Sequence, residues 1–147
     1  PLAGQVKPLS QATDPVFSSG VMGQGVVIEP SQGELVSPVN GTVTVLFPTK
    51  HAVGIVSEEG VEMLMHIGMD TVSLDGKGFE SHIKQGDKVV VGQQLISFDM
   101  DIIKEAGLVT ETPVIITNQD DFQADVEGNL PRDIKRGDVL MIAHRTK

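Results

Sequence analysis

The chain has 147 residues, no cysteine and a formal net charge of −9, from 20 acidic and 11 basic side chains. This length suits one domain over residues 1–147 with a core that needs no disulfide, and the lack of cysteine fits a reducing compartment. The acidic balance and the absence of Trp and Tyr argue against nucleic acid as a ligand, because such sites need basic patches and stacking aromatics.

No apolar run approaches the roughly 20 residues of a membrane span, and no segment has the pattern of a signal peptide. We therefore expect a soluble, cytoplasmic chain. It begins at Pro1 rather than at a methionine, so we expect it to be processed or cut from something longer.

The first third of the chain predicts short strands. Residues 1–13 indicate an edge strand in which Pro8 limits pairing. The Gly/Ser-rich loop that follows has apolar side chains, which either tuck under the sheet or form a contact surface for a partner. Residues 25–29 form a strand and residues 30–33 a turn, and Asn40-Gly41 predicts a hairpin between strands at 34–39 and 41–47. The apolar loop residues are Val16, Phe17, Val21 and Met22.

Residues 48–72 predict a hairpin that contains two of the four histidines, with a turn at Glu58-Glu59-Gly60. If the loop has an even number of residues, His51 faces His66 across the ladder with Cβ atoms about 4.5–5.5 Å apart. That register groups His51, Val53 and Ile55 with His66, Leu64 and Glu62 on a half-exposed face, and Ala52, Gly54 and Val56 with Met65, Met63 and Val61 in the core. A bulge at Gly60 would make the loop odd and separate the histidines.

After the hairpin, the sequence predicts a turn at 73–78 and a helical turn at 79–84. A strand pair over 89–98, interrupted at Gly92, is followed by a helix at 101–106 that Gly107 ends. A buried strand at 113–117 and a closing strand at 139–144 complete the predicted elements. Residues 83–87 (IKQGD) and 134–138 (IKRGD) are near copies, which indicates an internal repeat. The expected fold is all-β, an antiparallel β-sandwich or barrel of two similar halves with one or two short helical turns.

The paired histidines allow several interpretations. Each alone is typical of a satisfied core or rim residue. A metal site would need a third ligand such as Asp70, since the chain has no His-x-His, no His-Glu-x-x-His and no cysteine. Phosphoryl transfer fits better, because one neutral imidazole serves as the nucleophile and the other binds phosphoryl oxygens without metal. Residues 36–43 and 86–95 also resemble biotinyl and lipoyl domains, but the hairpin tip lacks the lysine that those domains modify.

The motifs PTKHAVG at 48–54 and HIGMDTV at 66–72 resemble the glucose-type IIA domain of the bacterial phosphoenolpyruvate-dependent sugar phosphotransferase system. The resemblance extends from about residue 4 to residue 142. The motifs LFPTKHAV and HIGMDTV resemble the IIA domains at the C-terminal end of β-glucoside, sucrose or trehalose permeases more than the free-standing enteric form. Further matching segments are 14–17 (DPVF), 22–25 (MGQG), 36–41 (VSPVNG), 76–79 (GKGF), 86–87 (GD), 98–99 (FD) and 112–114 (TPV).

The resemblance implies an antiparallel sandwich in which Nε2 of His66 accepts a phosphoryl group from the carrier HPr and passes it to a cysteine of a IIB domain. It implies that His51 binds the phosphoryl group, that Thr49 orients a histidine, and that the Gly68 carbonyl holds the Nδ1 proton of His66. Leu64 stands where the free-standing enteric form has phenylalanine. The implied partner-binding residues are Val16, Phe17, Val21, Met22, Phe47 and Leu64, with Asp70 and Asp14 as acidic neighbours.

The resemblance implies no cofactor and no metal. It implies a membrane association only through a IIC domain if the chain is tethered to a permease, and we expect the isolated domain to be a monomer. A zinc-dependent β-sandwich hydrolase and a regulatory binding module remain as alternative functions.

Overall fold

A computed structural model of the chain describes residues 4–9, 24–68, 78–107 and 110–117, and the backbones of three strands at 122–126, 132–134 and 141–145. These residues form thirteen strands and one short helix, and every strand pairing among them is antiparallel. In chain order the elements are β1 Gly4–Pro8, β2 Gln24–Pro30, β3 Glu34–Val36, β4 Gly41–Leu46, β5 Ala52–Ser57, β6 Glu62–His66, β7 Phe79–Ser81, β8 Lys88–Val89, β9 Gln94–Phe98, α1 Met100–Glu105, β10 Thr112–Ile116, β11 Phe122–Val126, β12 Arg132–Ile134 and β13 Met141–Arg145.

The strands form three sheets. The largest has eight strands in the order β12-β1-β2-β10-β6-β5-β4-β8, the second has three in the order β3-β9-β7, and β11 pairs with β13 in the third. One cluster of buried apolar side chains joins Ile28, Ile55 and Met65 of the eight-stranded sheet to Leu35 and Ile96 of the three-stranded sheet. The main core therefore lies between these two sheets, which confirms the all-β, antiparallel, sandwich-like architecture.

The far side of the eight-stranded sheet has a smaller apolar cluster. Leu9, Val27 and Ile115 form it, and the half-buried Leu64 packs against it. All five residues of β10 are buried, as expected for a continuously apolar strand with both faces covered. The buried strand predicted at 113–117 is therefore confirmed one residue earlier, at Thr112–Ile116, and Thr117 is exposed.

The hairpin predicted around Asn40-Gly41 was wrong. β3 pairs with β9, whereas β4 pairs with β5 and β8 in the other sheet. Residues 37–40 carry the chain from one sheet to the other, and Ser37 exchanges backbone hydrogen bonds with the turn after β8, from its own N–H to the Gln93 carbonyl at 2.8 Å and from the Gly92 N–H at 2.9 Å. The side chain of Asn40 accepts a hydrogen bond from the Val91 N–H at 2.9 Å. Asn40 thus ties a crossover to a distant turn, and the Asn-Gly pair makes no hairpin.

Several smaller predictions also change. β1 is not an edge strand, because β12 pairs with its first three residues and stops short of Pro8. Residues 79–81 form a strand rather than a helical turn, since Phe79 pairs with Phe98 across the ladder and their rings stack at 6.3 Å. β8 and β9 lie in different sheets, and β13 pairs with β11 instead of closing the large sheet.

The predicted helix is confirmed one residue earlier, at Met100–Glu105. Asp99 caps it by accepting hydrogen bonds from the first-turn amides, at 3.0 Å from the Asp101 N–H, and this satisfies donors that the helix itself leaves unpaired. The buried Ile103 fixes the helix to the core. The second copy of the predicted repeat, apart from Ile134, lies outside the described residues, so the two-fold repeat remains a prediction.

Candidate functional site

The hairpin of β5 and β6 has a different register from the predicted one. Ala52, not His51, faces His66 across the ladder. The loop between the strands has three residues, because the Ser57 N–H donates to the Val61 carbonyl at 2.9 Å and Gly60 takes a left-handed conformation with φ of 95°. Three-residue hairpin loops typically place glycine in this conformation. The odd loop shifts every pairing by one residue relative to the even loop.

The shift changes which side chains share a face. Val53 and Ile55 join Met63 and Met65 in the main core, whereas the prediction placed the two pairs on opposite faces. Leu64 points to the other side of the sheet, where it packs against the smaller apolar cluster. A one-residue slip in register reverses the faces of a strand, which accounts for the wrong assignment.

His51 and His66 nevertheless meet. Their ring centroids lie 4.9 Å apart with the planes at 78°, although strand alternation alone would separate them. His51 lies just before β5, and its carbonyl accepts a hydrogen bond from the Ile67 N–H at 2.7 Å. The main chains at the two histidines are therefore joined, while the direction of the His51 side chain is set outside the regular strand.

The His66 ring is held by a backbone carbonyl. Its Nδ1 lies 2.7 Å from the Gly68 oxygen, and because a carbonyl only accepts, Nδ1–H is the donor. The backbone of Gly68 is left-handed, with φ of 73°, where its carbonyl reaches back to the ring. In the neutral imidazole, Nε2 then carries the lone pair. The ring is half-buried.

His51 is almost completely buried, with 3% of its surface exposed. Its Nδ1 lies 2.5 Å from Oγ1 of Thr49, and the Phe47 ring packs edge-on at 5.2 Å between centroids. Burial, and secondarily the charge of His66, lowers the pKa of His51 to about 4. The ring is therefore neutral at pH 7, and a neutral imidazole has one N–H donor and one acceptor nitrogen.

The site thus places a nucleophilic nitrogen next to a neutral hydrogen-bond donor. This combination suits transfer of an anionic group such as phosphoryl, in which one imidazole attacks and the other binds the oxygens. Across residues 4–9, 24–68, 78–107 and 110–117, no group of three or more His, Asp or Glu side chains is placed to hold a metal ion. Asp70, the third ligand considered for zinc, lies outside that part of the chain.

The structure brings together four of the sequence-predicted residues: His51, His66, Thr49 and Gly68. Phe47 contacts His51, whereas Leu64 lies two residues before His66 on β6. The other predicted partner-binding residues lie outside the described residues; they are Val16, Phe17, Val21, Met22, Asp14 and Asp70.

The sequence did not predict that Val45 is exposed, with 37% of its surface accessible to solvent. A Cβ on Gly54 would lie 2.7 Å from Val45 Cγ1, and Gly54 faces Leu64, so Val45 and Leu64 flank Gly54 on one face of the sheet. A bulge in β4 between Val43 and Val45 turns this side chain outward. Simple alternation in the sequence gives no signal for such a bulge.

Comparison with known proteins identifies the family. The family model described as "phosphoenolpyruvate-dependent sugar phosphotransferase system, EIIA 1" matches residues 1–122. The chain belongs to this family. The EIIA domain is a phosphotransferase component with a phosphocarrier role in sugar uptake.

Two relatives support the assignment. The EIIA domain is 57% identical over 122 residues to the β-glucoside-specific EIIBCA component of Bacillus subtilis (strain 168), a match that covers 83% of this chain and 20% of that protein. The chain therefore spans about a fifth of that relative's length. Its fold is similar to that of the glucose permease IIA from Mycoplasma capricolum, with a TM-score of 0.86, 38% identity and coverage of 96% of this chain and 90% of that one.

The α1 helix has six residues. Over the described ranges, the EIIA domain contains no helix with the length and apolar character needed to cross a membrane.

Proposed function

We propose that Nε2 of His66 accepts a phosphoryl group from the phosphohistidine of HPr and passes it to a cysteine of a IIB domain. The observation that carries this proposal is the hydrogen bond from Nδ1 of His66 to the Gly68 carbonyl at 2.7 Å. That bond holds the proton on Nδ1 and leaves the lone pair on Nε2, where attack is possible.

The chemistry is two successive displacements at phosphorus. In the first, the Nε2–P bond forms as the bond from phosphorus to the HPr imidazole breaks, and the electron pair leaves with that imidazole. In the second, a cysteine thiolate of the IIB domain attacks phosphorus and Nε2 of His66 leaves. Both transition states carry charge on the equatorial oxygens, which positioned donors stabilise.

We assign the donor role to His51. If the Thr49 hydroxyl donates to Nδ1, the neutral ring carries its proton on Nε2 and can donate to a phosphoryl oxygen. The 2.5 Å contact between Thr49 and His51 and the pKa of about 4 both support this neutral form. A fixed neutral donor needs no proton transfer when the phosphoryl group arrives.

Partners dock, in this proposal, on the apolar residues around the histidines. Phe47 and Leu64 lie among the described residues, and Val16, Phe17, Val21 and Met22 are assigned by resemblance to the family. Asp14 and Asp70 are assigned as acidic neighbours by the same resemblance, and the net charge of −9 favours a basic partner face. The similarity to an EIIBCA component supports a IIB domain and a membrane IIC domain on the same polypeptide, to which residues 1–147 contribute one cytoplasmic domain.

The test is intact mass after incubation with phosphoenolpyruvate, enzyme I and HPr. We expect one phosphoryl group that is labile in acid and stable in base, and its loss in His66→Ala. His82→Ala is the matched control, because His82 is an exposed histidine that follows β7 in the three-stranded sheet, and its Nε2 lies 2.7 Å from Oγ of Ser97. No gain of mass with an active HPr would refute the proposal.

The division of roles has its own test. His51→Gln keeps acceptance on His66, because the nucleophile and its Gly68 partner are intact, but slows transfer to the IIB cysteine. Single-turnover rates for the two half-reactions measure the difference. Equal loss in both half-reactions would show that the two histidines do not divide the work in this way.

A further inference from the structure

The ladder between β5 and β6 does not by itself bring the two histidines together. Ala52 faces His66, and the His51 carbonyl bonds to the Ile67 N–H. Strand alternation would place His51 on the core face with Val53, and His66 on the opposite face. The ring centroids are nevertheless 4.9 Å apart. The connection that precedes β5 must therefore set the direction of the His51 ring.

That connection is the five-residue loop between β4 and β5, residues 47–51. The Phe47 N–H donates to the Ala52 carbonyl at 3.1 Å, and the Lys50 N–H donates to the Phe47 carbonyl at 2.7 Å. Pro48 and Thr49 are the central residues of the resulting β-turn, and proline suits the first central position because its φ is fixed. The turn ends at Lys50, directly before His51.

Lys50 has a left-handed backbone, with φ of 61°, and it is the one non-glycine residue of the described chain with positive φ. Such a conformation is uncommon for residues with a side chain, and it persists where the surrounding structure requires it. Two contacts depend on this conformation of Lys50. Oγ1 of Thr49 reaches Nδ1 of His51, and the His51 carbonyl accepts the hydrogen bond from the Ile67 N–H.

We propose that the left-handed backbone of Lys50 is a positioning device that turns His51 toward His66 and Thr49. The inference rests on the phosphoryl-binding role proposed for His51. Lys50 acts through its main chain, so its ammonium group is dispensable, whereas the tolerance of its backbone for positive φ is essential.

This assignment predicts which residues can replace Lys50. Glycine and asparagine adopt the left-handed region readily, and glutamine keeps the length of lysine without its charge. A β-branched residue is a genuine outlier in that region. Lys50→Val therefore distorts the turn, separates Thr49 from His51 and leaves the His51 ring more exposed to water.

The experiment compares Lys50→Val, Lys50→Gly and Lys50→Gln by NMR titration of the His51 ring and by the rate of transfer to a IIB domain. In Lys50→Val we expect the pKa of His51 to rise from about 4 toward 6.5, and transfer to slow by about tenfold or more, since small misplacements of a catalytic group are costly. Lys50→Gly and Lys50→Gln should keep the pKa of His51 at about 4 and the rate of transfer to the IIB domain within about twofold of the parent rate.

Gly60→Val is the matched control at the other end of the same hairpin. Gly60 also has positive φ, at 95°, and a Cβ there would meet nothing within 4 Å. Valine at this position puts a β-branched residue at positive φ, at the end of the hairpin opposite the histidines. We expect it to lower stability while leaving the His51 pKa and the transfer rate of the folded protein unchanged.

Three results would overturn the proposal: an unchanged His51 pKa and rate in Lys50→Val, an equal effect in Gly60→Val, or a slow Lys50→Gly. If Lys50→Val does not fold, Lys50→Thr at low temperature carries the same comparison. The titration does not require phosphoryl transfer. A parent protein that never accepts phosphoryl would therefore refute the proposed function, while the Lys50 positioning is still decided by NMR.

Discussion

Replacing His51 by glutamine tests how the buried ring affects stability at acid pH. The folded protein keeps His51 neutral down to a pKa of about 4, whereas the unfolded chain protonates it near the ordinary value of 6.5. Acid therefore favours the unfolded state. The stabilisation is complete above the unfolded pKa and is lost as the pH falls toward the folded pKa.

The magnitude follows from the two pKa values. The full difference between 6.5 and about 4 corresponds to roughly 3.4 kcal/mol, at about 1.36 kcal/mol for each pKa unit. Between about pH 7.5 and about pH 5, the part lost is about 2 kcal/mol, because the unfolded ring is then almost fully protonated and the folded ring is not.

The assay is urea unfolding at the two pH values for the parent and for His51→Gln. We expect the parent to lose about 2 kcal/mol more than the variant on acidification. His82→Gln is the matched control, because it removes an exposed histidine and leaves His51 intact, and it should lose as much as the parent. An equal loss in the parent and in His51→Gln would refute the assignment of a neutral buried ring.

Three further predictions concern packing, capping and orientation. Gly25→Ala should lower the free energy of unfolding by about 3 kcal/mol in urea titrations, because its Cβ would lie 2.0 Å from the backbone oxygen of Val114 and no side chain can yield; a stable variant would contradict this. Asp99→Ala should cost about 1 kcal/mol in the same assay through loss of the helix cap, and Asp99→Asn less. Thr49→Val should slow onward phosphoryl transfer about tenfold through loss of its hydrogen bond to His51, whereas Thr49→Ser should be close to the parent; equal rates for the two variants would refute the orienting role.

The sequence predicted the elements of the hairpin but not their register. Alternation and the Glu58-Glu59-Gly60 turn located β5 and β6 within one residue at each end. The register depended on whether Gly60 belonged to the loop as a left-handed residue, and composition cannot distinguish an even loop from an odd one. The consequence was a reversed assignment of faces for Val53 and Leu64.

The histidine pair was correctly expected but for an incomplete reason. Direct cross-strand pairing was wrong, and the two rings meet because a turn outside the strand redirects His51. Nothing in a Thr-Lys-His sequence signals a left-handed lysine, since most lysines avoid that region. The resemblance to the family supplied Thr49 and Gly68, whose oxygens lie within hydrogen-bond distance of the His51 and His66 rings.

Long-range pairing was the least predictable part. The Asn40-Gly41 pair has the chemistry of a hairpin turn, yet Asn40 bonds across the fold to Val91. Local turn preference cannot reveal such a partner, because the competing interaction involves a residue far along the chain. The same limit applies to β3, whose partner β9 follows it only after five intervening strands.

The position of β10 has a consequence for synthesis and folding. It lies between β2 and β6, pairing Thr112 with Ile28 on one side and Val114 with Met65 on the other, and it joins the three strands on the β2 side of the large sheet to the four on the β6 side. During translation, the edges of β2 and β6 that pair with β10 therefore have no partner strand until residue 116 has left the ribosome. Sheets closed by such distant pairings fold slowly, and open edges invite association between chains. A chain that stops before β10 should aggregate, so the nascent domain depends on protection until its last central strand is made.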